Sequence, residues 1–263
     1  MHITKERFTL PLFALIFTLL IGACTDPDPT VVRDFNDIRQ TFSELDIQPG
    51  INDFTIEAYT DIFWSFRIIA PQNTTGTGKS CVIALHDEPT EVMGAHQNTD
   101  CYAEPGLSDL DGYIISPNGG SQKWDDFSNQ ELVVGLIRLA REYLPVDTNK
   151  FMVMGFGDGG NGAWYFAENY PDFAKTAMPI ASFYPTDSES GGYRVFEVPV
   201  YCIHGTMDDL YTISQIRTWV NGTAIAGSNV RLEEATDLGH DDPCNYVPFI
   251  QNGAQFIRDS IWN

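Results

Sequence analysis

The spacing of apolar residues changes period several times along this chain. Over 33–45, Phe35, Ile38, Phe42 and Leu45 recur three or four positions apart, as on one buried face of a helix. Two runs of strand character follow, Phe54 to Tyr59 and Ile62 to Ile69, and then a Gly/Thr-rich turn over 72–79. Short unbroken apolar runs come next: Cys81 to Leu85, Tyr113 to Ile115, Phe151 to Met154, Ala177 to Ile180 and Val198 to Ile203. Runs without a polar face suit strands covered on both sides. Helical patterns lie between them. The clearest opens at Ser128, with Glu131 at capping-box spacing, and sets Leu132, Leu136, Leu139 and Tyr143 on one stripe. Further helices are expected near 160–170, 212–226 and 246–261. This alternation predicts an α/β fold, a mainly parallel sheet with helices on both faces, and the early strand pair predicts an antiparallel N-terminal edge.

The N-terminus reads differently. Lys5 and Arg7 precede an apolar stretch from Phe8 to Ile21, which has the length of a signal-peptide core and is short for a membrane span. It ends Leu20-Ile21-Gly22-Ala23-Cys24, which resembles a bacterial lipobox. The expected organisation is a lipoprotein signal peptide over 1–23, a lipidated Cys24, a polar tether over 24–32 and a single domain over 33–263. Thr25 follows the cysteine, and by resemblance to lipoprotein sorting rules this favours the outer membrane, facing the periplasm or the surface. The protein is thus expected in the cell envelope, held to the membrane through Cys24. No later segment has the uninterrupted apolar length of a membrane-spanning helix.

Charge narrows the partners. Fifteen basic against 36 acidic residues give a net charge of −21, which disfavours nucleic acid and anionic lipid headgroups. Four cysteines remain besides Cys24, and an exported location permits disulfides. Cys81 and Cys202 sit in apolar runs and read as buried free thiols. Cys101 and Cys244 lie in polar loop sequence, where a bridge between them is one of three connectivities that four cysteines allow.

The chemistry concentrates in a few segments. Lys150 to Gly160 (KFMVMGFGDGG) reads as an apolar strand, a glycine-dense turn and a helix start. Gly155 and Gly159 match the flanking glycines of the G-x-S-x-G nucleophile elbow, and Asn161-Gly162-Ala163-Trp164-Tyr165 continues as the helix does in secreted esterases. Ile203 to Asp209 matches the strand-end segment that carries the acid, Leu238-Gly239-His240-Asp241 the histidine loop, Ile83 to Glu88 the oxyanion strand end, and Asn118 to Asp125 the next loop. From about residue 80 to 257 the chain therefore resembles the α/β-hydrolase superfamily, in its secreted-esterase and peptidase-like branch with feruloyl esterases, polyhydroxybutyrate depolymerases and dienelactone hydrolases. The resemblance implies Asp208 as the acid, His240 as the base, and Asp87, Glu88, Asp158 and Trp124 about the oxyanion hole and cleft. At the nucleophile's position it finds Gly157.

Glycine has no attacking atom, and losing such a serine lowers turnover by roughly a millionfold. A carboxylate about 4 Å from a developing oxyanion would oppose it by ~4 kcal/mol at an effective dielectric near 20. Either Asp87 or Glu88 would do this if turned inward. The expected function is thus a pseudoenzyme that binds a small ester, glycan or peptide ligand, with Asp208 and His240 kept as a buried brace. The alternative is an active hydrolase, in which His240 activates a water or Asp158 attacks, or a Gly157 variant of an active serine esterase. Ser121 and Ser182 are weaker candidates for attack, and a structural subunit of an envelope complex is a third class. Asp87, Glu88, Asp158, Asp208, Asp209, His240, Asp241 and Asp242 would suit a hard cation, yet no spacing resembles a metal loop. No cofactor or metal is expected. His86 and His204 read as packed, hydrogen-bonded residues.

Overall fold

The computed structural model describes residues 33–88, 92–189 and 191–263. Cys24, the expected signal peptide and the expected tether lie outside the described residues. Eight strands form one sheet: β1 (Gly50–Tyr59), β2 (Ile62–Ala70), β3 (Lys79–Leu85), β4 (Gly112–Pro117), β5 (Val146–Phe156), β6 (Thr176–Ile180), β7 (Val200–Gly205) and β8 (Val230–Ala235). Their order is β1-β2-β4-β3-β5-β6-β7-β8. β1 pairs antiparallel with β2, and β2 with β4; every other pairing is parallel. The helices are α1 (Phe35–Ser43), α2 (Ala103–Gly106), α3 (Phe127–Tyr143), α4 (Asp158–Asn169), α5 (Ile213–Ile225) and α6 (Val247–Ser260). The predicted mainly parallel sheet with an antiparallel N-terminal edge is therefore what the chain forms.

The unbroken apolar runs split between two core layers because successive strand side chains point to opposite faces. Cys81, Ile83, Leu85, Phe151 and Val153 face the layer that Leu132, Leu136 and Leu139 of α3 complete. Val82, Ala84, Met152, Met154 and Phe156 face the other, which Ile250, Ala254 and Ile257 of α6 cover. Burial of about 1.5–3 kcal/mol per large side chain makes this register strongly preferred, since a one-residue slip would exchange the two faces. Cys81 and Cys202 are buried free thiols, as expected. Burial pushes the Cys202 thiol up to about 12.

Two details depart from the local sequence patterns. α3 opens at Phe127 behind Asp126, whose carboxylate makes no cap bond with the helix and instead accepts the Lys123 N–H at 2.8 Å. Ser128 thus lies inside the first turn, and the Ser128–Glu131 capping box does not form. β8 carries Arg231, Glu233 and Glu234 and pairs only with β7; its half-exposed edge position removes the apolar signature of the inner strands. Among the described residues no helix is long and apolar enough to cross a membrane.

Candidate functional site

The parallel strands β4, β3, β5, β7 and β8 end at the same edge of the sheet, with β6 between β5 and β7, and the loops beyond them hold the candidate residues. β5 runs into a sharp turn with Gly157 at its apex, at φ 55° and ψ −117°, before α4 begins. That backbone is strained for any residue with a side chain. A methyl on Gly155 would meet the Gly159 backbone at 2.4 Å, and one on Gly159 would meet the Leu85 carbonyl at 2.2 Å. These glycines let α4 pack directly on the strand ends. The Gly157 N–H donates to the Ile180 carbonyl of β6 at 3.0 Å, which pins the turn to the sheet.

Asp87 stands over this turn. Its Oδ1 accepts the Asp158 N–H at 2.7 Å and the Glu88 N–H at 2.9 Å. A methyl on Gly157 would fall 2.0 Å from Asp87 Oδ1 and 2.8 Å from Oδ2, so the carboxylate fills the space above the glycine. Of the two acids expected near the oxyanion hole, only Asp87 turns inward. Glu88 takes a left-handed backbone, φ 47°, and its side chain is exposed.

His86 shapes this loop. Its Nε2 accepts the Gly119 N–H at 3.1 Å, which leaves the proton on Nδ1, 2.8 Å from the Asp87 carbonyl. Burial lowers its proton affinity below the usual histidine value. The Trp124 indole N–H donates to the His86 carbonyl at 3.0 Å, and the two rings meet edge to face at 5.0 Å. Trp124 is buried against Gly119 and Gly162 and lines a cavity with Asp158.

Asp208 and His240 come together across 32 residues. Asp208 is buried; its Oδ1 accepts the N–H groups of Tyr211 at 2.7 Å and Leu210 at 3.0 Å. Its Oδ2 lies 3.1 Å from His240 Nδ1 and 3.3 Å from His204 Nε2. His204 was expected to be structural, but its contact with Asp208 was not anticipated; the only sequence signal is the four-residue offset at the end of β7. His204 Nε2 lies 2.7 Å from the Tyr211 carbonyl, and burial holds the ring below the usual histidine value. His204 Nε2–H therefore donates to the Tyr211 carbonyl, and His240 Nδ1 meets Asp208 Oδ2. Among the described residues His240 Nε2 has no hydrogen-bond partner. The His240 ring is held between Phe156 at 5.7 Å and Tyr211 at 5.2 Å.

Asp158 heads α4 with its side chain half-buried. Burial raises its carboxyl above the usual range, and its Oδ2 has no partner among the described residues. It lines a cavity of about 170 Å³ with Lys123, Asn161, Tyr165 and Tyr184. A second cavity, about 600 Å³, opens on Asp87, Tyr102, Phe156 and the disulfide between Cys101 and Cys244. Ser182 is buried and Ser121 is exposed. Asp209, Asp241 and Asp242 are exposed, and among the described residues no group of three acidic, histidine or cysteine side chains is arranged to hold a metal ion.

The site thus holds a buried carboxylate against a histidine ring, and two backbone N–H groups that converge on Asp87 Oδ1. Comparison with known proteins agrees on the fold. The model of the Dienelactone hydrolase family matches residues 121–240. A thermostable esterase superposes with a TM-score of 0.64 at 18% identity, over 80% of this chain and 62% of the esterase, so this chain spans under two thirds of that protein. A fluorophosphonate-binding serine hydrolase of Staphylococcus aureus gives a TM-score of 0.65 at 12% identity, over 80% of this chain and 99% of the other. Thermogutta terrifontis esterase 2, phosphorylated by paraoxon, gives 0.63 at 16%, over 81% and 95%. No curated protein matches the chain. The chain has the α/β-hydrolase fold and resembles esterases in it.

Proposed function

We propose that this protein is a hydrolase of small carboxylic esters or chemically related compounds that works from Asp208 and His240 without a serine nucleophile. The observation that carries this reading is the complete Asp208–His240 pair. The acid is buried and held by two backbone N–H groups, and it meets His240 Nδ1, while His240 Nε2 has no hydrogen-bond partner among the described residues. Such a pair orients the imidazole and stabilises it once protonated, which is what a general base needs. The dienelactone hydrolase match and the esterase neighbours support a hydrolytic role. Serine acyl transfer is set aside because Gly157 offers no nucleophile and Asp87 fills the space beside it. The Gly22-Ala23-Cys24 sequence supports a lipid anchor at the cell envelope.

The test compares wild-type domain with His240→Ala on a panel of short acyl and feruloyl esters, with matched melting curves. Wild-type turnover above the buffer rate is expected, with a loss of roughly 100- to 10,000-fold in the variant, the usual worth of a general base. Buffer-level rates for wild-type on every ester would end this reading. One observation favours a second reading, ligand binding without turnover: the Asp87 carboxylate already occupies both N–H donors that would hold a substrate oxyanion. A ligand that raises the melting temperature and is never cleaved would support it.

A further inference from the structure

We propose that Asp87 is the covalent nucleophile of this site and that it attacks a saturated carbon bearing an anionic leaving group, an inference that rests on the hydrolase reading above. Asp87 belongs to the loop after β3, 71 residues from the Asp158 amide that binds it. The sheet nevertheless brings its carboxylate over the apex of the β5–α4 turn, with both oxygens within 2.8 Å of the point where a side chain on Gly157 would start. A reactive oxygen therefore stands above the turn although the turn residue supplies none. Oδ1 is fixed by two N–H donors, which leaves Oδ2 to react. Asp87 also lines the cavity of about 600 Å³, whose walls include Tyr102 and Phe156, so an apolar group can be received there. His240 belongs to the same neighbourhood. Its ring packs on Tyr211 and on Phe156, and Phe156 walls the same cavity as Asp87.

The same hydrogen bonds select the substrate class. Attack on an acyl carbon creates a new oxyanion on the substrate, and both donors that could hold it are already bound to Asp87 Oδ1. Attack on a saturated carbon creates no such oxyanion. In the first step Oδ2 bonds to the carbon while the leaving group departs with its bonding electrons, as a carboxylate from an alkyl ester or as a halide. The result is an alkyl ester of Asp87. In the second step His240 Nε2 takes a proton from a water whose oxygen attacks Asp87 Cγ. The negative charge then gathers on Oδ1, where the Asp158 and Glu88 N–H groups already point. Collapse breaks the Cγ–Oδ2 bond, the departing alkoxide takes the proton from His240, and an alcohol leaves. Asp87 is restored with one oxygen from water. The sum is alkyl–X plus water giving alcohol plus HX.

The experiment traps the first step and labels the second. His240→Ala protein is incubated with 1-bromobutane and, separately, with butyl acetate, then weighed intact and mapped by peptide. One butyl group on Asp87 is expected, accumulating in this variant and turning over in wild-type; His240→Gln serves if the alanine variant melts early. Asp87→Asn, whose amide oxygen still accepts both N–H bonds, is expected to take no label and to lose turnover by roughly a thousandfold or more. In oxygen-18 water, repeated wild-type cycles on butyl acetate should place the label in butanol and in Asp87. Label in acetate with none in Asp87, with turnover intact, would overturn the Asp87 nucleophile and leave the hydrolase reading standing; label in acetate and in Asp87 would overturn attack at the saturated carbon. An unmodified Asp87 in both His240 variants would also overturn it, and the hydrolase reading would fall too only if wild-type stayed at the buffer rate on the whole ester panel.

Discussion

Restoring a serine to the turn is the sharpest perturbation of the geometry at Gly157. A side chain added there would start 2.0 Å from Asp87 Oδ1, so Gly157→Ser alone has to displace the Asp87 carboxylate. Displacement forfeits the bonds from the Asp158 and Glu88 N–H groups. Hydrogen bonds to a charged group are worth about 1.5–3 kcal/mol, and a residue held in a sparsely populated backbone region costs about 1–3 kcal/mol. Gly157→Ser is therefore expected to lose at least about 4 kcal/mol of stability. Paired with Asp87→Gly, the serine has room, but the same two bonds are absent, so the double variant should be about as destabilised as the single one. Rates should separate the two. If the displaced carboxylate stays about 4 Å from an acyl oxyanion, its repulsion of about 4 kcal/mol corresponds to roughly a thousandfold. The double variant, with Asp208 and His240 untouched, should hydrolyse p-nitrophenyl acetate about a thousandfold faster than Gly157→Ser. Urea melts give the stabilities and nitrophenolate release gives the rates. A single variant as stable as wild-type, or as fast as the double, would refute the seating of Asp87 over the turn.

Two further expectations concern stability. The Cys101–Cys244 bridge ties the wall of the larger cavity to the segment before α6, across a separation of 143 residues. Replacing both by serine should cost roughly 2–5 kcal/mol by chain-entropy arguments, read as a lower urea midpoint with a steeper slope because the unbridged chain unfolds to a more open state; an unchanged midpoint would remove the bridge from the account of stability. Burial holds His86, His96 and His204 below the ordinary histidine value, His96 at about 4. The unfolded chain titrates these rings near 6.5, so between that pH and 4 it binds more protons than the folded protein. Stability should be full above about pH 6.5 and fall toward pH 4, with His96 alone contributing a loss of about 2 kcal/mol by pH 5. Urea melts at pH 7.5 and 5 check this, and His96→Gln should flatten the slope; stability that rises as pH falls would contradict it.

Much of the fold was legible from residue order alone. The runs at Cys81–Leu85 and Phe151–Met154 lack a polar face, and that is enough to expect strands covered on both sides. Gly155, Gly157 and Gly159 announced a crowded turn at the end of such a strand, and the order of Asp208 and His240 after it pointed to a pair that the fold does bring within 3.1 Å. Polar surroundings singled out Cys101 and Cys244 from the two buried thiols, and these two cysteines are joined. Burial periodicity and backbone conformation are local properties, so a short window of sequence records them.

What the sequence left open depends on contacts between distant segments. β8 escaped notice because an edge strand needs burial on one side only, and Arg231, Glu233 and Glu234 carry no apolar signature. The Ser128–Glu131 spacing suggested a cap, yet α3 starts two residues sooner, behind Asp126, whose carboxylate accepts the Lys123 N–H. The second histidine on Asp208 was invisible because His204 meets it only after β7 ends and the chain folds back through Tyr211. Most of all, sequence left undecided whether Asp87 or Glu88 would turn inward. That choice was made by the left-handed backbone at Glu88, by Gly119 and Trp124 fixing His86, and by the amide of Asp158 at the head of α4. The direction of a charged side chain follows the donors that surround it, and here the decisive donor comes from the helix that follows the neighbouring strand.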